Sequence, residues 1–158
     1  GDAASALALD DEALEIDPGF EPAILGRVEA LIALARLDDA QAALDALPYE
    51  QADRSRIGTL YARLAVARRQ PAGADEDYAA RIARNPGDLA ARLEWSALHA
   101  AQEDWEAAMK QALEVVRRDR SFRDDAGRRA LLDLFALLGS DHALVRHYRR
   151  ELAAALNK

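Results

Sequence analysis

The chain has 158 residues, a formal net charge of −7, no cysteine and 51% hydrophobic residues. This length can bury a core, and the apolar content is too high for a disordered chain. The lack of cysteine excludes disulfides, thiol nucleophiles and thiolate metal sites. No apolar run reaches the roughly 18 residues of a membrane span, and no signal peptide is visible. Since the sequence starts at Gly1 rather than at a methionine, we expect it to be a piece of a longer protein.

Charge is distributed unevenly along the chain. Residues 1–50 contain 12 acidic residues and two arginines, whereas residues 117–158 contain six acidic and ten basic residues. A basic tail can indicate nucleic-acid binding. Here the arginines alternate with aspartates, and no aromatic stacking platform accompanies them, which is typical of a solvated helix surface. We therefore expect neither a nucleic-acid nor a membrane partner.

Apolar residues follow a helical period throughout and predict about nine helices and no strand. In chain order, the predicted helices are Ala3–Ile16, Glu21–Leu34, Asp38–Ala46, Ala52–Arg68, Ala72–Arg84, Asp88–Ala100, Trp105–Arg118, Asp124–Leu138 and Asp141–Leu156. Five of them have an aspartate at or just before their start, and we expect its carboxylate to accept the free backbone amides of the first turn. These aspartates are Asp38, Asp88, Asp104, Asp124 and Asp141. The elements predict an all-α chain that forms a single domain over residues 1–158.

The chain repeats with a period of about 34 residues, which is typical of arrays of helix pairs. Pro18 and Pro86 stand two periods apart, and Asp17 and Asp119 stand three periods apart. Two series of mostly small residues keep the same spacing: Ala6, Ala40, Ala74 and Ala108, and Val28, Ala62, Ser96 and Ala130. A unit of this length holds two helices and two turns, and small residues at fixed positions let paired helices approach closely. The pattern predicts a right-handed superhelix of helix pairs, in which the first helix lacks its partner. The second pair is degenerate, since Gln51 stands where Asp or Asn before proline is expected.

The residues that could support catalysis lack the sequence context of a catalytic or metal-binding site. Ser96, His99 and Asp104 lie close in sequence, but no nucleophile-elbow glycines surround the serine. His142 and His147 are five residues apart and share a helix face poorly, which disfavours a metal site. The glycines are scattered and form no phosphate-binding loop. We expect no enzyme activity, no catalytic or metal-binding residues and no cofactor.

Two stretches resemble known families. The segment 105–109, Trp-Glu-Ala-Ala-Met, with Asp119 after it, resembles the second helix of a tetratricopeptide repeat. The run 115–125, the segment 128–135 and the tail 145–152 together resemble the tetratricopeptide-type C-terminal region of bacterial thioredoxin-like co-chaperones (YbbN-like proteins, or chaperedoxins). The resemblance covers essentially the whole chain and is sharpest over residues 85–152. The thioredoxin-like domain that precedes this region in the family is absent here.

This resemblance implies a cytoplasmic protein–protein interaction module of a stress-response co-chaperone, which binds the chaperonin, unfolded client proteins, or both. The family's chaperonin contact is attributed to its C-terminal helices, which correspond here to residues 142–156. The candidate contact residues in that segment are Arg146, Arg149, Arg150 and Leu156.

A generic scaffold that binds one specific peptide or complex partner is the alternative interpretation. Repeat solenoids commonly use a concave surface in this way. A site for peptide carboxylates would place basic residues on the first helices of successive pairs. The candidates are Arg27, Arg63, Arg92 and Arg129. Both interpretations stay open at the level of the sequence.

Overall fold

A computed structural model describes residues 2–47, 53–69 and 73–157, and within these ranges the chain forms helices and turns without a strand. The helices are α1 (Ala3–Ile16), α2 (Glu21–Ala33), α3 (Leu37–Asp45), α4 (Arg54–Arg68), α5 (Asp75–Arg84), α6 (Leu89–Ala101), α7 (Trp105–Arg118), α8 (Ala126–Leu138) and α9 (Ala143–Leu156). The predicted all-α helical-repeat class is confirmed. In the described part of the chain, no helix has both the length and the apolar character that crossing a bilayer requires.

The helices group into two compact units. The first unit, Gly1–Arg68, contains α1 to α4, and the second unit, Arg69–Lys158, contains α5 to α9. In the first unit the buried core is formed by Leu7, Leu25, Val28, Ala30, Leu31, Ala40, Leu44, Leu60 and Leu64. In the second unit α7 supplies the largest buried face and packs against α6, α8 and α9. The prediction of one domain over residues 1–158 stays a prediction.

The second helix of a pair ends in the same way at three positions spaced by the repeat. Asp17, Asn85 and Asp119 cap the ends of α1, α5 and α7 with extended backbone. In each case the side-chain Oδ1 accepts the backbone N–H two residues later, at 2.9 to 3.1 Å. Such a side-chain turn competes with continuation of the helix. The fourth equivalent, Gln51, lies outside the described residues.

The turn inside a pair is also repeated. Ala35 and Glu103, which stand two repeat periods apart, both have left-handed backbones, with φ of 58° and 60°. The residue after each donates its backbone N–H to a carbonyl five residues earlier, that of Leu31 or His99, at 2.9 Å. A left-handed residue that follows the last helical turn satisfies the free carbonyls there. The turns that connect α2 to α3 and α6 to α7 therefore have the same geometry.

The small-residue positions are confirmed for the first helices of the pairs. Val28, Ala62, Ser96 and Ala130 are all buried. In α6 and α7 the two series meet directly, because the Ser96 hydroxyl donates to the Ala108 carbonyl at 2.8 Å.

In the second helices the prediction holds at Ala40 and Ala108, which are fully buried, but it is wrong at Ala6 and Ala74, which are exposed. Because α5 begins at Asp75, Ala74 lies before the helix, and Tyr78 is buried at the fourth helical position instead.

Aspartate capping is confirmed at two of the five predicted positions. The carboxylates of Asp88 and Asp104 accept the Ala91 and Ala107 amides. The prediction is wrong for the other three aspartates, Asp38, Asp124 and Asp141. Asp38 lies inside the first turn of α3, Asp124 lies in a left-handed turn two residues before α8, and the N-cap of α9 is His142, whose Nδ1 accepts the Leu144 amide. The aspartate that caps α1, Asp2, was not predicted.

Candidate functional site

The second unit contains a cleft of about 300 Å³ between α6 and α8, which are the first helices of two successive helix pairs. Leu93, Ala97 and Ala126 form an apolar part of its lining. Three arginines and one glutamate complete the lining: Arg69, Arg123, Arg129 and Glu94. We call this feature the arginine cleft. Its lining combines aliphatic surface with guanidinium groups, which can hold a carboxylate or phosphate with two parallel hydrogen bonds.

The charges of the arginine cleft are only partly neutralised within the chain. Arg69 forms an ion pair with Asp133 of α8, and Arg81 Nη1 lies 3.0 Å from Glu94 Oε2. Arg123 and Arg129 have no carboxylate partner among the described residues. Arg129 Nη2 donates to the Arg123 carbonyl at 2.7 Å, and the Arg123 guanidinium lies 5.2 Å from the centre of the Phe122 ring. The cleft is therefore electropositive, with two guanidiniums available to an anionic group.

A left-handed turn places Arg123 at the rim of the cleft. Arg123, Asp124 and Asp125 have φ values of 47°, 55° and 59°, so three consecutive residues with side chains occupy the left-handed region. This conformation costs roughly 1–2 kcal/mol per residue outside glycine, although aspartate tolerates it better. The turn leads directly into Ala126, the first residue of α8. Strain of this kind persists where the surrounding structure determines the backbone, and such positions cluster at binding sites.

Glu94 is held at the cleft by a polar network from the preceding turn. Arg81 on α5 contacts Glu94 and also donates to Asp88 Oδ2 from Nη2 at 3.1 Å. The Ala91 amide and the Arg81 guanidinium together hold the pKa of Asp88 below its usual value. Because the single positive charge of Arg81 is shared between two carboxylates, this network keeps one net negative charge, which is fewer than the two positive charges of Arg123 and Arg129.

Of the predicted first-helix arginines, Arg129 lies in the arginine cleft and Arg92 does not. The Arg92 residue is only 8% exposed and faces α7, where Nη1 donates to Gln111 Oε1 at 3.0 Å. Its Nη2 donates to the Pro86 carbonyl at 3.2 Å. Burial lowers the pKa of Arg92, and the nearby Arg118 lowers it further. Arg92 thus ties the turn before α6 to α7 inside the unit.

The other two first-helix candidates belong to the first unit. Arg27 Nε lies 2.9 Å from Asp11 Oδ1 and lines a second cavity of about 300 Å³ with residues of α1, α2 and α3. Arg63 is exposed on α4. Their role in partner binding stays a prediction.

The C-terminal candidates lie on α9, whose apolar stripe is part of the core. Val145, Tyr148 and Leu152 are buried, and Leu156 is partly buried. The predicted contact arginines Arg146, Arg149 and Arg150 are all exposed. Arg146 donates to the Asp141 carbonyl, and the Arg149 guanidinium lies 5.8 Å from the centre of the Phe135 ring. The exposed face of α9 is therefore basic, and its role in contacting a partner stays a prediction.

The serine and histidine that lie close in sequence make separate contacts. Ser96 donates to Ala108, as described above, while the His99 ring stacks on Trp95 with ring centres 5.2 Å apart. The Trp95 Nε1 donates to Asp75 Oδ1 at 2.8 Å, so this aromatic pair connects the start of α5 to α6. Among the described residues, no three metal-ligating side chains converge.

Sequence reasoning missed Arg69 and Arg123 as members of the cleft. Arg69 precedes α8 by more than fifty residues, and only the packing of the unit brings it to Asp133. The sequence predicts a helix that begins at Asp124, directly after Arg123, and this prediction gives Arg123 no part in a binding site. The signal that could have found it is the unusual density of charge from Arg117 to Arg129, which exceeds what helix capping needs.

Comparison with known proteins gives two family matches. Models described as "Tetratricopeptide repeat" match residues 1–64 and residues 67–157, and the second match spans more than half of the chain. No curated protein matches the chain. Among solved structures, it is similar to the crystal structure of a domain of a Vibrio parahaemolyticus protein of unknown function. The identity is 19%, the TM-score is 0.46, and the alignment covers 96% of this chain and 89% of that one.

Proposed function

Because the chain belongs to the tetratricopeptide repeat family, we propose that it is a protein–protein interaction module whose arginine cleft binds an acidic segment of a partner protein. The observation that carries this proposal is the pair of guanidiniums, Arg123 and Arg129, without carboxylate partners among the described residues, beside an aliphatic surface on α6. A carboxylate bound by either arginine forms charge-assisted hydrogen bonds, and an aliphatic side chain of the same segment covers Leu93 and Ala97.

The finer function that we propose is that of a co-chaperone module, which binds the bacterial chaperonin, unfolded clients, or both. Its support is the resemblance of residues 85–152 to the C-terminal region of thioredoxin-like co-chaperones, together with the basic outer face of α9. In this proposal Arg146 and Arg150 contact the chaperonin. A cytoplasmic location is part of the same proposal. The generic scaffold is the other candidate, and the arginine cleft is the observation that favours it.

Surface substitutions separate the two candidates better than truncation does. Helix α9 packs on α7 and α8 and carries the buried side chains of Val145 and Leu152, so a chain without α9 would lose core as well as surface. The paired changes Arg123→Glu with Arg129→Glu alter the cleft alone. Arg146→Glu with Arg150→Glu alters the outer face of α9. Each pair changes the net charge by the same amount.

The control is a third pair with an equal change of charge, Arg120→Glu with Arg128→Glu, on exposed residues outside the cleft lining. The unmodified chain and the three double variants are immobilised and exposed to bacterial lysate, and the retained proteins are identified by mass spectrometry. The cleft proposal expects a partner that is lost with the cleft pair and kept with the control. The co-chaperone proposal expects the chaperonin on the unmodified chain and its loss with the α9 pair.

A direct binding measurement decides whether the cleft recognises acidic chains. The probe is a fluorescein-labelled peptide of alternating glutamate and leucine, with a lysine–leucine peptide as its counterpart, followed by fluorescence anisotropy. We expect the acidic peptide to bind the unmodified chain and to lose about tenfold or more in affinity with the cleft pair, since each charged hydrogen bond contributes about 1.5–3 kcal/mol. Equal binding of both peptides, or binding that the control pair weakens as much as the cleft pair, would refute the cleft proposal.

A further inference from the structure

The arginine cleft carries charges of opposite sign on its two sides. Arg123 and Arg129, which find no carboxylate within the described part of the chain, belong to α8 and to the turn that leads into it. Glu94 lines the same cleft from α6. It follows Leu93 by one residue, which is about 100° around the helix, so it stands beside the apolar part of the lining. Arg81 reaches Glu94 from α5, which places this carboxylate on the side of the cleft that faces α5.

Glu94 keeps part of its negative charge in this setting. Arg81 Nη1 lies 3.0 Å from Glu94 Oε2, but Arg81 Nη2 also lies 3.1 Å from Asp88 Oδ2. One guanidinium therefore serves two carboxylates, and the group of three carries a net charge of −1. The other oxygen of Glu94, Oε1, accepts no hydrogen bond from the residues that the structure describes. Because the Glu94 side chain is 34% exposed and lines the cleft, a donor bound in the cleft can reach its carboxylate.

A segment that binds in the cleft has to match both signs of charge. A partner side chain that covers the apolar part of the lining removes water from Glu94 as well as from Arg123 and Arg129. The loss of hydration is costly for a carboxylate unless a cationic group pairs with it, and a like charge beside it is repelled. A uniformly acidic segment therefore satisfies the arginines but opposes Glu94, whereas a basic residue on the side toward α5 pairs with it.

From these positions we propose that the arginine cleft selects a segment of mixed charge, in which an acidic, an aliphatic and a basic residue follow one another closely. The acidic residue binds Arg123 or Arg129, and the aliphatic residue covers the apolar part of the lining. The basic residue donates hydrogen bonds to Glu94, which is thereby the residue that determines specificity for a basic side chain. This inference rests on the proposed function of the cleft and adds the chemistry of the segment that it binds.

The test uses the full chain and short fluorescein-labelled peptides, followed by fluorescence anisotropy. The peptides carry a central triplet of glutamate, leucine and lysine in either order, so that both chain directions are sampled. Each has a counterpart with glutamine in place of the lysine. We expect one of the two lysine peptides to bind at least about threefold more tightly than its counterpart, which is the size of effect that a partly exposed ion pair gives. Glu94→Gln should remove this preference for lysine.

Glu76→Gln is the matched control, because Glu76 is an exposed glutamate of the same unit that lies outside the cleft lining. It removes the same charge as Glu94→Gln and should keep the preference for lysine, whereas a general attraction of the acidic chain for lysine would respond equally to both variants. Arg81→Gln is a second variant with the opposite effect. It takes the positive charge away from Glu94 and should increase the preference for lysine. Circular dichroism checks that each variant is folded.

The results separate this inference from the proposed function of the cleft. If the peptides bind and lose affinity with Arg123→Glu and Arg129→Glu, but lysine and glutamine counterparts bind equally, the cleft proposal stands and the mixed-charge inference is overturned. The inference is also overturned if Glu94→Gln and Glu76→Gln change the preference for lysine by the same factor. If none of the peptides binds, or if the arginine variants leave their binding unchanged, both proposals are overturned.

Discussion

Replacing Gly127 by alanine tests how closely α8 approaches α7. A Cβ atom at residue 127 would lie 2.9 Å from the Ala112 carbonyl oxygen and 3.0 Å from Val115 Cβ and Cγ1. The carbonyl belongs to the α7 backbone and cannot rotate away, so the two helices must separate. Overpacking of this kind costs about 1–3 kcal/mol, while the helix propensity of alanine returns at most about 1 kcal/mol. We expect Gly127→Ala to lower the free energy of unfolding by about 1 kcal/mol.

Two other helical glycines serve as controls for this estimate. At Gly58, on the exposed side of α4, an added Cβ meets no atom within 4 Å, so Gly58→Ala should gain about 0.5–1 kcal/mol from helix propensity alone. At Gly26 the added Cβ would lie 2.7 Å from Asp10 Oδ2, which is the end of a side chain that can move. Gly26→Ala should therefore be close to neutral.

Urea unfolding followed by far-UV circular dichroism gives the three free energies, read separately if the two units unfold in separate transitions. The order of stability that we expect is Gly58→Ala, then Gly26→Ala, then Gly127→Ala. If Gly127→Ala stabilises the protein as much as Gly58→Ala does, the close approach of α8 to α7 is wrong, and so is the geometry of the arginine cleft that α8 borders.

Three further predictions concern single contacts. Because burial raises the pKa of Asp10, the folded state disfavours the ionised carboxylate, and Asp10→Asn should be more stable than the unmodified chain at neutral pH. Urea titrations at several pH values should show this difference in stability decrease as the pH falls through the folded-state pKa of Asp10. The difference should vanish below the pKa of the unfolded state. Ser96→Ala removes the buried 2.8 Å hydrogen bond to Ala108 and should cost about 0.5–1.5 kcal/mol in the same urea assay. The hydrogen bond to Asp45 raises the pKa of Tyr61 to about 12. The stabilisation that this hydrogen bond gives is therefore complete below pH about 10, the usual pKa of tyrosine, and is lost as the pH rises from there through the folded-state pKa of about 12. Absorbance titration of the phenol should show this late ionisation, and Asp45→Asn should move it back toward the usual range.

The helices could be predicted from the sequence because residues close to each helix end determine where the helix stops. All nine appear in the described part of the chain near the predicted positions, and α1 and α7 have the predicted bounds. Asp17, Asn85 and Asp119 stop their helices with side-chain turns that involve residues only two positions apart. Such contacts need no information about the rest of the fold.

The arginine cleft could not be predicted because it depends on the packing of α6 against α8. Arg92 satisfied the sequence criterion for a groove residue, a basic side chain on a first helix, yet its position on the helix turns it toward α7. Arg123 reaches the cleft through a left-handed turn made without glycine, and nothing in its local sequence favours that backbone over a helix start. The direction of a side chain around a helix axis decides both cases.

The way the helices contact one another also sets the order in which parts of the chain open. In each unit every helix packs on helices that are adjacent or next but one in the sequence. Local contacts of this kind close short loops, so folding is fast and can start at several places. Within the described residues α1 contacts α2 alone and α5 contacts α6 alone, whereas α7 contacts three helices. Amide hydrogens of α1 and α5 should therefore exchange with solvent earlier than those of α7, so that each unit opens first at its N-terminal helix.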